Sequence, residues 1–592
     1  MSQLDYALIG NCQISALIDK RGNHVWCCMP RFDSPSIFAS LLGGEQAGFW
    51  SCLPETNDFE TKQVYFRNTN IVRTEFHIKN GDQFDIIDFC PRFFNCEKYF
   101  KPTQIVRIIR PVKGNPRIRM VLSPKFDYGK TQPEVTMAGD GCVFHCGDRK
   151  LFFRTDIPIS YLLKTTDFEL SSEKYCILSY GEPFDRQLKF TCDEYLERTF
   201  SYWKTWVKHC TIPFEYQEAV IRSALALKLH IFEDTGAIIA ATTTSIPESP
   251  KGNRTWDYRY CWLRDSYFVI GVLNQIGHFE EMERFIQFLH NVSANHQNME
   301  LQPVYGIGGE TKLEERELAW LAGFKGIGPV RVGNMAHSHS QYDVFGEMVL
   351  AKTQLFFDAR LDGVDLQRAF ENVVKLVERA ISVFELPDSG IWEFRSDMKH
   401  YLFSKLMCWT AVDRGLKIAE RLGKAASFER WEKIREQIRT AIEKDGWNNE
   451  LGFYTQALRG TNADAANLLM VAVNFHQPED ERYRTLVEQY EKLLTRNGYV
   501  FRYRNRDDFG LPVHAFVACS FWMIDALASI GRKEEARTMF EKIIRNTNHV
   551  GLLSEDIDPD TGELWGNFPQ AYSHVGVINS AFKISKSWEE AF

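Results

Sequence analysis

TCDEYLERTFSYWKTWVKHC, residues 191–210, is the stretch in which the hydrophobic period of this 592-residue chain changes. Before it, short runs rich in β-branched and aromatic residues alternate with polar ones, as in IVRTEFHI at 71–78. After it, the period is helical almost to the end. The change predicts an antiparallel β-sandwich over 1–190, a helical linker over 191–213 and an all-α domain over 214–592.

The all-α part contains about twelve candidate helices. Several, such as FVACSFWMIDALASI at 516–530, are apolar on most faces and should be buried. Twelve such helices favour a double ring in which outer helices enclose inner ones. Four long connections, rich in Gly, Trp and charged residues, are where binding and catalysis are expected; they span 240–263, 295–338, 386–401 and 548–568.

Composition excludes several classes of function. The net charge is −8 and no long Lys/Arg run occurs, which disfavours a nucleic-acid or anionic-membrane partner. The N-terminus has no signal-peptide pattern and no apolar window reaches about 18 residues, so we expect a cytoplasmic protein that does not span a membrane. Fourteen cysteines, diluted in so long a chain, favour free buried thiols.

We expect neither a cofactor nor a metal. Cys142 and Cys146 could form half of a metal site, as could His337 and His339, but no complete ligand set stands at matching spacing. Core-strand cysteines and polar residues at a helix start are the alternative interpretations of these pairs.

The first chemical cluster is RTWDYRYCWLRD at 254–265, where aromatic and charged residues alternate. Aromatic rings such as Trp256 stack on the apolar face of a sugar, and charged groups such as Arg264 and Asp265 bind its hydroxyls. A buried ion-pair network at a helix start explains the same pattern, and both interpretations remain open on composition alone.

Two carboxylates are the candidate catalytic groups. Glu393 stands beside Trp392, and partial desolvation would keep it protonated as a general acid requires; a salt bridge to Arg395 or another cation is the alternative. Glu555 lies in the acidic run SEDIDPDTGE at 554–563, where an ionised carboxylate in a polar setting could activate water. A solvated acidic turn is the alternative there. Two separated carboxylates with opposite environments suit inverting glycoside hydrolysis.

A further glycine-rich segment, 320–334, suggests tight turns that present Trp320 and Arg331 to a ligand. It lacks the Gly-Lys-Ser/Thr ending of a phosphate-binding loop.

Together these motifs resemble glycoside hydrolase family 15, the glucoamylase and bacterial trehalase group. The resemblance rests on LIGN at 8–11, PRFDSP at 30–35, the whole of 254–265, GIWE at 390–393, and SED at 554–556 followed by GNFPQA at 566–571. It implies a β-sandwich joined to an (α/α)6 barrel and a single displacement that releases β-glucose. Glu393 would be the general acid and Glu555 the general base.

The resemblance also implies a set of sugar-binding residues. Arg264 and Asp265 would hold the non-reducing glucose, and Arg502 would be a further sugar-binding arginine. Trp320 and Trp392 would face the sugar. The expected substrate is an α-linked glucose oligosaccharide or disaccharide, and the leading interpretation is an exo-acting hydrolase of glucoamylase type. Trehalose hydrolysis is the closest alternative; a phosphorylase or a non-catalytic glycan-binding protein is disfavoured because both carboxylates are present.

One position departs from the family pattern. Val513 and His514 stand where relatives often have an acidic residue and Gly. His514 either alters specificity at the mouth of the pocket or simply packs at a helix start.

Overall fold

The computed structural model describes residues 4–183, 186–294, 300–361, 365–424 and 428–592. Residues 295–299 of the predicted connection 295–338 therefore lie outside the described part. The first 180 residues form strands β1–β17, which are Tyr6–Gly10, Ser15–Asp19, His24–Cys28, Ser36–Phe38, Phe49–Pro54, Phe59–Tyr65, Val72–Ile78, Gln83–Phe89, Phe93–Asn95, Lys98–Phe100, Gln104–Lys113, Arg117–Ser123, Glu134–Ala138, Gly141–Cys146, Arg149–Thr155, Phe168–Glu169 and Lys174–Tyr180.

The strands form a seven-stranded and an eight-stranded antiparallel sheet, while β9 and β10 pair separately. Alternation along the strands places one set of side chains between the sheets. In β7, for example, Val72, Thr74, Phe76 and Ile78 are buried and the residues between them are not. The ring of Phe76 stacks on Phe84 of β8 with centroids 4.4 Å apart. The predicted antiparallel sandwich is confirmed.

Two short helices, α1 (Ser40–Gly43) and α2 (Ile159–Leu163), lie within the sandwich, and α3 (Leu188–Lys208) follows it. The remaining helices, α4–α15, are Gln217–Lys228, Leu263–Gln275, Glu280–Ala294, Asp343–Thr353, Leu366–Val383, Leu402–Arg421, Glu429–Ala441, Glu481–Leu494, Val517–Ser529, Lys533–Arg545, Ala571–Ile584 and Trp588–Ala591. A 3₁₀ helix, Ala465–Met470, stands where a twelfth ring helix is expected.

Six helical segments close an inner ring. Each of α5, α7, α9, Ala465–Met470, α12 and α14 contacts the next, and α14 returns to α5. These inner segments are apolar on nearly all sides, as α12 illustrates, whereas outer helices such as α8 bury one stripe. The outer helix α4 is also largely buried, because the sandwich covers it. The predicted (α/α)6 barrel is confirmed.

Buried polar contacts fix the sandwich to the barrel. The indole N–H of Trp26 donates to the backbone oxygen of Thr242 at 2.8 Å. Arg92 and Glu233 form an ion pair across the boundary that is almost completely buried. Such contacts position the loop that follows Thr242, which carries part of the site. In the part of the chain described, no helix has the length and apolar character needed to cross a membrane.

Candidate active site

A cavity of about 900 Å³, including its open mouth, lies where the inter-helix connections of the barrel meet. Its wall contains six of the nine predicted site residues: Trp256, Arg264, Asp265, Trp392, Glu393 and Arg502. These residues come from connections far apart in the chain. Asn334 and Ala336, from the connection 295–338, also line the cavity. The barrel thus brings together three of the four long connections singled out in the sequence.

Alternation in the segment 254–265 separates two roles. Trp256 and Tyr258 face the cavity. The alternate residues Asp257 and Arg259 form a completely buried ion pair. Arg259 also donates to the hydroxyl of Tyr128 in the sandwich at 2.9 Å. The ion-pair interpretation of this motif thus holds for one face of the extended segment, and the aromatic face lines the cavity, because successive side chains of extended backbone point to opposite sides.

Glu393 projects into the cavity from a tight turn. Its φ is +62°, a left-handed conformation that costs a non-glycine residue about 1–3 kcal/mol. Its Oε1 accepts hydrogen bonds from Trp262 Nε1 at 2.7 Å and Gln341 Nε2 at 3.2 Å. Arg264 Nη2 lies 3.6 Å from the same oxygen. Such a strained and directed carboxylate is typical of a functional group.

The salt-bridge alternative for Glu393 holds for another cation and not for Arg395: Nη2 of Arg264 lies 3.6 Å from Glu393 Oε1. Arg395 instead donates to Glu315 Oε2 at 2.8 Å. The indole N–H of Trp392 donates to both oxygens of Asp464 at 2.9 Å. The two neighbours of Glu393 are therefore held by other carboxylates, which leaves Glu393 directed at the cavity with its side chain 24% exposed.

Arg264 and Asp265 occupy the first turn of α5. Arg264 donates to Gln341 Oε1 at 3.0 Å and to Asp343 Oδ2 at 3.2 Å. The pKa of Asp265 is raised to about 6, chiefly by burial and in part by Glu393, against the opposing charge of Arg264. This pair can present a fixed donor and acceptor to sugar hydroxyls.

Glu555 lies directly before the short strand Asp556–Ile557 and is 1% exposed. Its Oε1 accepts a hydrogen bond from the hydroxyl of Tyr258 at 2.5 Å. Tyr258 is part of the cavity wall, whereas Glu555 stands behind it. Burial, and secondly the carboxylate of Glu248, raise the pKa of Glu555 to about 8. The predicted polar setting of Glu555 is wrong, because neighbours distant in sequence bury its carboxylate.

Glu248, Glu555 and Asp556 are the group of buried carboxylates, among the described residues, whose oxygens lie close enough to hold one metal ion, within 4.8 Å of one another. Arg502 donates to Glu248, and the guanidinium of Arg254 lies 3.8 Å from it. These two arginines supply positive charge at the cluster.

Trp320 and Arg331 are not brought to the cavity wall. Trp320 is 45% exposed, and its indole N–H donates to the backbone oxygen of Tyr128 in the sandwich at 3.0 Å. Arg331 donates to the backbone oxygen of Asn253 at 2.9 Å and lies 5.1 Å from the centre of the Trp256 ring. Arg331 therefore supports Trp256 from outside the cavity.

His514 also lies off the cavity wall, with its ring 5.8 Å from that of Trp565. It precedes the short strand Ala515–Phe516, so α12 begins later than the apolar run predicts. This placement favours the packing interpretation of His514. Of the two histidines considered for a metal, His339 lines the cavity.

Sequence reasoning missed several functional side chains: Glu248, Gln341, Asp464 and Asp508, while Tyr258 and Trp262 were not chosen within their motif. Glu248 had a usable signal, because it stands between two prolines in the connection 240–263. Gln341 and Asp464 had none, since their roles depend on partners 52 and 72 residues away.

The fold and the two carboxylates define a glycoside hydrolase class built on a sandwich and an (α/α)6 barrel. The model of the glycosyl hydrolases family 15 matches residues 215–582, and the chain belongs to that family. A trehalase-like N-terminal domain model matches residues 4–161. The protein is therefore a glycoside hydrolase.

Relatives named trehalase match almost the whole chain. The trehalase of Thermoplasma acidophilum is 33% identical over 586 residues, which covers 97% of this chain and 98% of that protein. The trehalase of Mycobacterium tuberculosis is 31% identical and covers 99% and 90%, respectively. Among solved structures, a bacterial glucoamylase complexed with acarbose superposes with a TM-score of 0.70 at 12% identity, covering 98% of this chain and 94% of that one. The last likeness concerns the fold alone.

Proposed function

We propose that this protein is a trehalase, which hydrolyses α,α-trehalose to two molecules of glucose. The observation that carries the proposal is the match to proteins named trehalase along nearly the full chain, including the N-terminal domain. The structural likeness to a glucoamylase reflects a shared fold. The alternative in the sequence analysis thus becomes the main proposal, and glucoamylase-type hydrolysis becomes an outcome to test.

In this proposal Glu393 is the general acid and Glu555 the general base of a single displacement. Glu393 donates its proton to the glycosidic oxygen as the bond to C1 breaks. Glu555 takes a proton from the water whose oxygen attacks C1 from the opposite face. The attacked glucose leaves as the β-anomer, and the leaving glucose keeps its α configuration.

The glucose that is attacked is held by the charged residues at the start of α5. Arg264 and Asp265 bind its hydroxyls, and the buried supports Gln341 and Asp343 keep the guanidinium in place. Arg502 and the rings of Trp256 and Trp392 complete this part of the wall. Charged hydrogen bonds that tighten as the ring distorts contribute to transition-state stabilisation.

The leaving glucose is bound at the rim beside Glu393. Arg395 lies 4.8 Å from the centre of the Trp256 ring and 5.2 Å from that of Phe509, which fixes its position. Its backbone N–H donates to Asp508 Oδ2 at 2.7 Å. Together with His339, these charged groups line the cavity on this side. A second glucose, which offers hydroxyls on every side, suits such a polar rim.

The proposal includes a cytoplasmic location. All fourteen cysteines are free thiols, and eleven of them are buried. Free thiols of this number persist in a reducing compartment. Fractionation of the native cells should recover trehalase activity with the cytosolic markers; recovery with secreted or envelope proteins would contradict the proposed location.

Steady-state kinetics on trehalose, maltose, isomaltose and maltotetraose test the proposed substrate. We expect kcat/KM for trehalose to exceed each of the others by at least about tenfold, because a rim built for one leaving sugar leaves buried polar groups unpaired with another. The Glu393→Gln protein, purified in parallel, controls for contaminating hydrolases. A preference for maltotetraose of the same size would establish glucoamylase-type activity instead.

A further inference from the structure

The three buried carboxylates at the cavity wall are Glu248, Glu555 and Asp556. They differ in whether a lysine or arginine lies close enough to form a salt bridge. Glu248 is paired with Arg502. Arg254 is paired with Asp507, at 2.5 Å. In the described ranges, neither Glu555 nor Asp556 has a lysine or arginine within salt-bridge distance. Glu555 and Asp556 are thus two adjacent buried acids without a cation of their own.

Two oxygens of this pair have no hydrogen-bond partner within the described part of the chain: Oε2 of Glu555 and Oδ2 of Asp556. Both face Gly566, whose φ is +76°. A Cβ added there would lie 2.8 Å from the first oxygen and 3.1 Å from the second. A side chain at this position would collide with both acids, and their carboxylates lie within 4.8 Å of one another.

Charge and hydrogen bonding distinguish the two acids. Two buried carboxylates this close cannot both be ionised without a cation, and they retain one proton between them. The hydroxyl of Tyr258 donates to Glu555, which favours its ionised form. Burial raises the pKa of Asp556 well above its usual range, and Glu248 and Glu555 raise it further. The retained proton therefore belongs on Asp556.

We propose that Asp556 is a positioning residue that retains one proton through the catalytic cycle and donates it as a hydrogen bond to Oε2 of Glu555, so that Glu555 stays ionised. This inference rests on the proposed role of Glu555 as the general base. The charged and titratable groups that face the pair are Glu248, Tyr258, Arg254, Arg502 and Cys519.

The proton that Asp556 keeps does not change the overall proton balance of the reaction. Glu393 loses a proton to the glycosidic oxygen, Glu555 gains one from water, and both exchange with solvent before the next cycle. Asp556 keeps its own proton throughout. Asp556 thereby donates a hydrogen bond to the oxygen of Glu555 that Tyr258 does not contact. It also places no second negative charge beside the base.

The isosteric variant Asp556→Asn mimics the protonated acid and tests the proposal. Its amide can donate to Glu555 Oε2 at every pH. We expect kcat on trehalose to stay within about tenfold of the wild-type value. The acid limb of kcat/KM should stay within about 0.5 pH unit of the wild-type position, because the amide, like the protonated acid, gives Glu555 a donor without a second negative charge.

Two further variants separate this role from packing. Asp556→Leu removes the donor, so the acid limb should move to higher pH and kcat should fall about tenfold or more below that of Asp556→Asn. Asp464→Asn changes a buried acid beside Trp392, on the other wall, in the same chemical way as Asp556→Asn. The acid limb should stay in place in that control. A shift to lower pH in Asp556→Asn would show an ionised second carboxylate beside the base and would overturn the proposal, as would an unshifted acid limb in Asp556→Leu.

Two measurements do not depend on the activity. Infrared difference spectra of wild type against Asp556→Asn should contain the C=O stretch of a protonated carboxyl at neutral pH, and its absence would overturn the proposal. Loss of activity on EDTA treatment, restored by Mg²⁺, would replace the shared proton with a bound cation and would also overturn it. Failure of the wild type to hydrolyse trehalose would instead contradict the proposed substrate, and the infrared result would still decide the protonation of Asp556.

Discussion

The two walls of the cavity hold their carboxylates in different ways. Glu393 stands on a strained turn, is partly exposed, and accepts hydrogen bonds from Trp262 and Gln341. Glu555 is buried behind Tyr258 beside two other acids. The immediate sequence suggested nearly the reverse, an apolar setting for the first and a polar one for the second. The environment of a carboxylate is decided by residues that the fold brings from elsewhere.

Replacing either carboxylate should cause the largest loss of activity. Glu393→Gln and Glu555→Gln should each lower kcat on trehalose by about 10²–10⁴, because each removes one proton-transfer step. Circular dichroism should show an unchanged fold. Glu378→Gln is the matched control: Glu378 also accepts from an indole N–H and an arginine, but on the outer helix α8. Near-normal turnover by either catalytic variant would refute its assigned role.

Tyr258→Phe should have the next largest effect, and it should act through Glu555 only. The hydroxyl stabilises the ionised form of Glu555, so its loss should raise the pKa of that base. The acid limb of kcat/KM should move to higher pH, and kcat should fall about tenfold. The same direction is expected for Asp556→Leu, because each of the two variants removes one hydrogen-bond donor to Glu555. A shift to lower pH would mean that Glu555 is not the group that limits activity in acid.

Asp265→Asn should affect all substrates alike. Asp265 stands beside Arg264 at the start of α5, in the part of the wall assigned to the attacked glucose. We expect kcat/KM to fall by a similar factor, about tenfold or more, for every α-glucoside that the enzyme accepts. Kinetics on trehalose and maltose measure this. A loss confined to one of them would place Asp265 beside the leaving sugar.

The smallest effect is expected where the structure places predicted residues outside the cavity. Trp320→Ala should leave kcat/KM on trehalose within about twofold, whereas Trp392→Ala should lower it at least about tenfold through lost sugar stacking. His514→Glu should lower the melting temperature and leave the trehalose-to-maltose ratio unchanged. A strong loss in Trp320→Ala would show that this ring reaches the substrate after all.

The sequence was sufficient for the architecture but only partly for the site. Alternation in strands such as β7 and the all-round apolar character of α12 are local patterns, and they predicted the sandwich and the barrel. Cavity residues within motifs, such as Trp256 and Glu393, were found for the same reason. Glu248 and Asp464 were not, because a buried carboxylate is defined by donors such as Arg502, 254 residues along the chain from Glu248.

The most direct test of the account is the anomeric form of the products. Trehalose hydrolysis followed by ¹H NMR, before mutarotation proceeds, reports both glucose molecules at once. A single displacement with Glu393 as acid and Glu555 as base predicts α- and β-glucose in equal amounts. Initial release of α-glucose alone would show retention of configuration and would contradict the assignment of the two carboxylates.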